Sequence, residues 1–150
     1  MSYGLVIDDD NRVAAWIYAK YNLFKMPINR ALGIVETDGT LVGGIILQNY
    51  NGINIELSYY GPYTLTPGIV RSIARIGIAE FNVGRATVIT SKKNKRLMRS
   101  LQRFGWRLEG TQRCFYGQQD CTRNTGVRFV MFREQIDRIA GFNNKNQEQG

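Results

Sequence analysis

Apolar and polar residues alternate with two different periods, and the change falls at Gly61-Pro62. Tyr3–Ile7 is a short apolar run that reads as a strand. Asp8, Asp9 and Asp10 follow, and acids at a helix N-terminus suit its dipole. Val13–Asn22 then places Ala14, Ile17, Tyr18 and Tyr21 on one helical face. Pro27 interrupts, and a short helical piece is predicted around Ile28–Leu32. Gly33–Glu36 and Thr40–Gln48 read as strands joined at Asp38-Gly39, a strong hairpin-turn signal. Asn51-Gly52 is a second turn, leading into Ile53–Tyr60, where Ile53, Ile55 and Leu57 alternate with polar residues. Together these make a three-stranded antiparallel meander.

Beyond Gly61-Pro62 the helical period takes over. Gly68–Asn82 places Ile69, Ile73 and Ile76 on one side. Arg85–Thr90 is a β-branched strand. Lys93–Phe104 is a helix with Leu97, Leu101 and Phe104 on one stripe and Lys92, Arg96, Arg99 and Arg103 on the other. Gly105 follows at the position where glycine ends helices. Trp106–Tyr116 and Val127–Arg133 alternate as strands around a polar loop, and a helical turn is predicted at Glu134–Ile139. Residues 1–141 are expected to form one α+β domain, with residues 142–150 a polar, disordered tail. The strand-helix-strand unit in the middle demands a parallel crossover, so the sheet is expected to be mixed, with six to seven strands flanked by helices.

Composition narrows the chemistry. The 150 residues include no histidine, which removes imidazole bases and histidine-ligated zinc. Two cysteines, Cys114 and Cys121, cannot make a four-thiolate metal site; they read as reduced thiols of a cytoplasmic protein, with one disulfide as the alternative. No apolar run approaches the roughly 20 residues of a membrane span. The net charge of +8 is uneven. Residues 1–68 hold four basic and six acidic side chains, whereas residues 69–140 hold fifteen and five. The second half therefore suits an anionic partner such as nucleic acid, an acidic protein or a phosphorylated cofactor, unless it is only a solvated basic face.

The segment from Asn94 through Gly105-Trp106 to Glu109-Gly110 and Arg113 resembles the GNAT acyltransferase superfamily. Many members carry an asparagine, a helix, then Gly-Phe or Gly-Trp eleven residues on, then Glu-Gly and a basic residue. The element order extends that likeness over residues 3–134. The resemblance implies a GNAT-like fold in which acetyl-coenzyme A lies in a splay between the fourth and fifth strands. It places the cofactor against Leu57, Ser58 and Tyr59, a loop of Tyr63, Thr64, Leu65, Thr66, Gly68 and Ile69, and Asn94.

That loop departs from the family pattern of Arg or Gln, two residues, Gly, one residue, then Gly or Ala. Tyr63 stands at the basic or amide position and Thr66 at the first glycine, and Pro67 removes an amide donor. Gly68 matches, or is a plain helix start.

The resemblance also implies acetyl transfer to an amine on a small molecule or a protein N-terminus. Glu56, on the fourth strand, is the candidate base, or else a solvent-facing strand residue. Leu101 stands where many members place a tyrosine acid, so Tyr116 is the nearest substitute. Two other readings stay open. One is a catalytically degenerate GNAT-fold binding or assembly module, similar to small GNAT-like proteins of tailed phages that act in virion assembly. The other is a toxin acetylating aminoacyl-tRNA. A homodimer is compatible with either.

Overall fold

The computed structural model describes residues 3–21, 27–61 and 65–142. The chain runs β1 (Tyr3–Val6), α1 (Asp10–Tyr21), β2 (Arg30–Glu36), β3 (Leu41–Gln48), β4 (Asn54–Tyr60) and α2 (Pro67–Ile76). A π-helical turn (Gly77–Phe81) extends α2, and β5 (Arg85–Ser91), α3 (Lys95–Arg103), β6 (Arg107–Gln112), β7 (Gly126–Phe132) and α4 (Arg133–Ala140) follow. The strands form a seven-stranded sheet in the order β1-β2-β3-β4-β5-β7-β6. Only β4 and β5 pair in parallel among the described strands, so the sheet is mixed as the crossover requires.

Alternation along the strands sorts the core into layers. Ala31 and Ile46 face α1 and pack on Val13, Ala14 and Ile17. Their neighbours Leu32, Ile45 and Leu47 face the opposite side, against Ile69 and Ile76 of α2 and Ile136 of α4. Leu97 and Leu101 of α3 complete that second layer on Val88, Val127 and Phe129. At Gly44 a Cβ would stand 2.6 Å from Ile17 Cδ1, so glycine lets α1 lie close on the sheet.

Both turns form as their residues dictate. Asp38 Oδ1 accepts from the Thr40 N–H at 2.9 Å, and Asn51 Oδ1 accepts from Asn54 N–H at 2.7 Å. The helical piece around Ile28–Leu32 is not formed. Arg30, Ala31 and Leu32 instead pair with Leu47, Ile46 and Ile45. Both faces of β2 are buried there, so its apolar run lacks the alternation that marks a half-exposed strand. The helix over 68–82 ends in the π-turn, and Asn82 closes it in the left-handed region (φ 49°). Trp106–Tyr116 is a strand only from Arg107 to Gln112; beyond it the chain leaves the sheet, carrying Tyr116 into the β6–β7 loop. In that loop the Cys114 N–H donates to the Cys121 carbonyl at 3.2 Å, which returns the chain on itself. The two cysteines are joined as a disulfide rather than standing as reduced thiols.

One guanidinium links the layers. Arg30 donates to Asp10 Oδ2 at 2.8 Å, to both Glu80 oxygens at 2.5 and 2.6 Å, and to the Ile7 carbonyl. It thereby ties the β1–α1 turn to the π-turn beyond α2. Burial alone would raise the Asp10 carboxyl, but the bonds from Arg30 and the Ala31 amide hold it below the ordinary 3.8. A lowered folded-state pKa stabilises the fold above 3.8, and that contribution vanishes as the pH falls through the folded value.

The melting temperature of Asp10→Asn is therefore expected to lie below the parent's at neutral pH, with the gap closing as the pH falls from above 3.8 through the lowered folded value. A gap of constant size across that range would show that the carboxylate's charge is not its source. A second test concerns the end of β4. Gly61 has φ 132°, and a Cβ there would meet Gly43 Cα at 2.7 Å and the Val42 carbonyl oxygen at 2.8 Å. Backbone cannot retreat as a side chain can, so Gly61→Ala should cost at least about 1 kcal/mol, or roughly 2–4 °C of melting temperature. Thermal melts followed by circular dichroism check both.

Candidate functional site

The parallel pairing of β4 with β5 is short. It runs from Asn54–Arg85 to Leu57–Val88 and stops. Both strands continue for three more residues, to Tyr60 and Ser91. On their outer sides they remain paired, Tyr60 with Gly44 and Ser91 with Gly126. The inner edges of residues 58–60 and 89–91 therefore diverge into a wedge bordered by main-chain donors and acceptors. The amides of an extended ligand can bond there as a strand would.

The wedge has two unlike sides. Leu57 and Tyr59 point toward the layer of α2–α4 and line an apolar cavity of about 100 Å³ with Leu65, Val88, Leu97 and Leu101. Ser58 and Tyr60 point to the α1 side. Ser58 Oγ accepts from Gln48 Nε2 at 3.3 Å, and the Tyr60 ring lies 5.3 Å from that of Tyr21. Burial pushes the Tyr60 phenol up, outweighing the Ser58 hydrogen bond that pulls it down. Trp16 continues this aromatic wall, 6.4 Å from Tyr21.

Glu56 is one residue before the crotch of the wedge, opposite Thr87. It is half-buried, and its carboxylate accepts from Asn49 Nδ2 at 2.9 Å. Asn49 sits in the left-handed region (φ 54°), just after β3. Tyr116 reaches the same crotch from the β6–β7 loop. Its hydroxyl donates to the Ile89 carbonyl at 3.3 Å, two residues along β5 from the partner of Glu56. Burial pushes this phenol up to about 12, with Tyr60 adding to the shift. The loop, rather than a continuing strand, carries Tyr116 to this position.

At the start of α2 the capping bonds are internal. Thr66 Oγ1 accepts from the Ile69 N–H at 3.2 Å, and the Thr66 carbonyl accepts from Val70 N–H at 3.0 Å. Thr66 is therefore the cap of α2, and Pro67 has no amide to offer. Gly68 retains the first-turn amide that Thr66 does not engage. Arg71, exposed one turn on, is the nearest cation along α2. Asn94 likewise caps α3, accepting from the Leu97 N–H at 3.2 Å. Tyr63 and Thr64 lie outside the described residues. Leu101, standing where a tyrosine was expected, is buried beneath α3.

Sequence reasoning singled out neither the aromatic wall nor Phe115. Tyr21 read only as part of a helix face, Trp16 was not placed on it, and nothing in the local period says that β4 ends against it. Phe115 packs edge-on against Tyr116, 4.8 Å between centroids. Its ring fills the space that a Cβ at Gly126 would take, so the glycine opening β7 was the available signal.

The sequence matches no protein-family model and no curated protein. Solved structures do resemble it. A spermidine N-acetyltransferase SpeG mutant from Vibrio cholerae superposes with a TM-score of 0.70 at 9% identity, covering 90% of this chain and 96% of that one. A GNAT-family acetyltransferase from Bacillus anthracis gives 0.57 at 15% identity, covering 69% and 66%. At such identities the likeness speaks for architecture alone, and the architecture is clear: this chain has the α+β fold of the GNAT N-acetyltransferases.

Proposed function

We propose that the chain is an acyl-coenzyme A-dependent N-acyltransferase that transfers an acetyl group to an amine. The observation that carries this reading is the wedge: β4 and β5 stop pairing after Leu57–Val88 while both run on. A thioester carrier with amides in its arm suits the free edge of residues 58–60. The Gly68 amide and Arg71 are the groups available to its phosphates, a reduced set against the family pattern. Acetyl-coenzyme A supplies the activated acyl group.

In this reading Glu56 accepts a proton from the incoming ammonium, leaving a neutral amine able to attack. Asn49 fixes the carboxylate's orientation from the side away from the wedge. A strand-edge amide at Leu57 or Ser58 suits a developing oxyanion. Tyr116 serves as a hydrogen-bond donor rather than a full acid. Moving a proton from a phenol raised to about 12 onto a thiolate with a pKa of about 8.5 is uphill. The aromatic wall of Trp16, Tyr21 and Tyr60 flanks the amine's approach and can hold a cation over its rings.

A second reading has its own observations. Thr66 engages the Ile69 amide and Pro67 has none, which leaves the Gly68 amide to α2's first turn, and Tyr116 already engages Ile89 within the wedge. A fold whose cofactor contacts are replaced by internal ones is what a non-catalytic binding module would show.

Calorimetric titration of acetyl-coenzyme A separates the two. The enzyme reading expects a Kd of about 1–100 μM that persists when salt is raised. It also expects Glu56→Gln to lose at least about 100-fold in transfer to a test amine with the melting temperature retained. No heat at about 1 mM ligand would leave the binding module standing.

A further inference from the structure

The cations of the second half are concentrated in one stretch of the chain. Residues 85–128 hold eleven basic and two acidic side chains. One of those acids, Glu109, is taken by Arg85 at 2.8 Å. Among the described residues, Lys92, Lys95, Arg99, Arg103, Arg107 and Arg123 make no ion pair with a carboxylate, and all are exposed. Along α3, Lys95, Arg99 and Arg103 lie opposite the buried Leu97 and Leu101, a cationic stripe about 12 Å long that Lys92 extends at the turn before the helix.

Charge of this kind attracts any polyanion. What distinguishes the surface is the aromatic pair at its end. The Lys92 N–H donates to the Thr125 carbonyl at 2.9 Å, and Lys93 Nζ reaches Asn124 Oδ1 at 3.5 Å. The Tyr116 N–H donates to the Asn124 carbonyl at 3.1 Å. The turn that opens α3 is thus stapled to the loop that carries Phe115 and Tyr116. These rings are 45% and 48% exposed, although they pack on one another. Large aromatic side chains left half in water beside unpaired cations are what base stacking requires. The sequence separates the two features by twenty or so residues, and along the helix itself only Phe104 and Trp106 are near the cations, neither fully exposed.

We propose that this surface binds single-stranded nucleic acid: phosphates along the α3 stripe and Arg123, and a base stacked on Phe115. An acidic polypeptide would use the charge and leave the rings idle. A duplex would meet the cations with its bases already stacked.

The test is fluorescence anisotropy with a labelled mixed-sequence single strand of about 16 nucleotides and the full chain. Binding is expected to weaken about 50- to 340-fold between about 50 and 200 mM salt, as four to six phosphate contacts imply. Phe115→Ala should weaken binding about fivefold or more and leave the salt slope unchanged. The pair Arg99→Gln and Arg103→Gln, exposed and away from the loop, should flatten the slope by about 1.4. Phe115→Trp guards against a folding defect, since it keeps the stacking face and should retain affinity. Three results overturn the proposal: no binding at low salt, a matched duplex or polyglutamate bound as tightly as the single strand, or Phe115→Ala binding like the parent.

Discussion

The place where β4 and β5 part determines most of what surrounds it. Four residue pairs hold the strands together, and then each is claimed by its outer neighbour, β3 on one side and β7 on the other. Parallel strands cannot be joined by a tight turn, so the chain must leave the sheet, run through α2 and return. The crossover starts beside the opening and re-enters at β5's far end. For that reason the start of α2, the start of α3 and the β6–β7 loop all gather at the same end of the sheet. The candidate site is a consequence of topology before it is a matter of particular side chains.

Holding the two layers in register falls to a different part of the molecule. Glycines at 33 and 44 let α1 approach the sheet to within side-chain contact, and Arg30 reaches across to Glu80 beyond α2. Tyr50 works beside it, its ring 5.1 Å from Phe81 and its hydroxyl donating to the Phe81 carbonyl at 2.5 Å. The π-turn is what presents Phe81 and Glu80 to these partners. These contacts lie at the end of β4 opposite the wedge, so strain introduced there reaches the site only through the sheet.

Much of this was legible in the residues. Asp38-Gly39 and Asn51-Gly52 mark hairpin turns whose side chains bond the backbone as such residues do, and the Asn94-to-Gly105 spacing brackets α3 at both ends. What escaped is of one physical kind: features fixed by partners remote in sequence. β2 begins three residues early because Leu47, Ile46 and Ile45 are there to pair. α2 widens into a π-turn whose last residues answer to Arg30 and Tyr50. Tyr116 lies at the wedge because the chain quits β6 at Gln112, which no alternation in Arg107–Tyr116 announces. Thr66, on the loop that the resemblance sets against the cofactor, caps α2, a role that the following Pro67 makes natural.

The bridge between Cys114 and Cys121 sits at the base of the loop that carries both Phe115 and Tyr116. Two aromatic residues with separate assignments, one on the outer surface and one in the wedge, therefore share a single covalent anchor. The reductant in a buffer becomes a variable of every assay on this protein. Material made in a reducing cytosol and material oxidised during purification are two chemical species with the same mass to within two hydrogen atoms. Titrating thiols before any binding measurement tells which of them is in the tube.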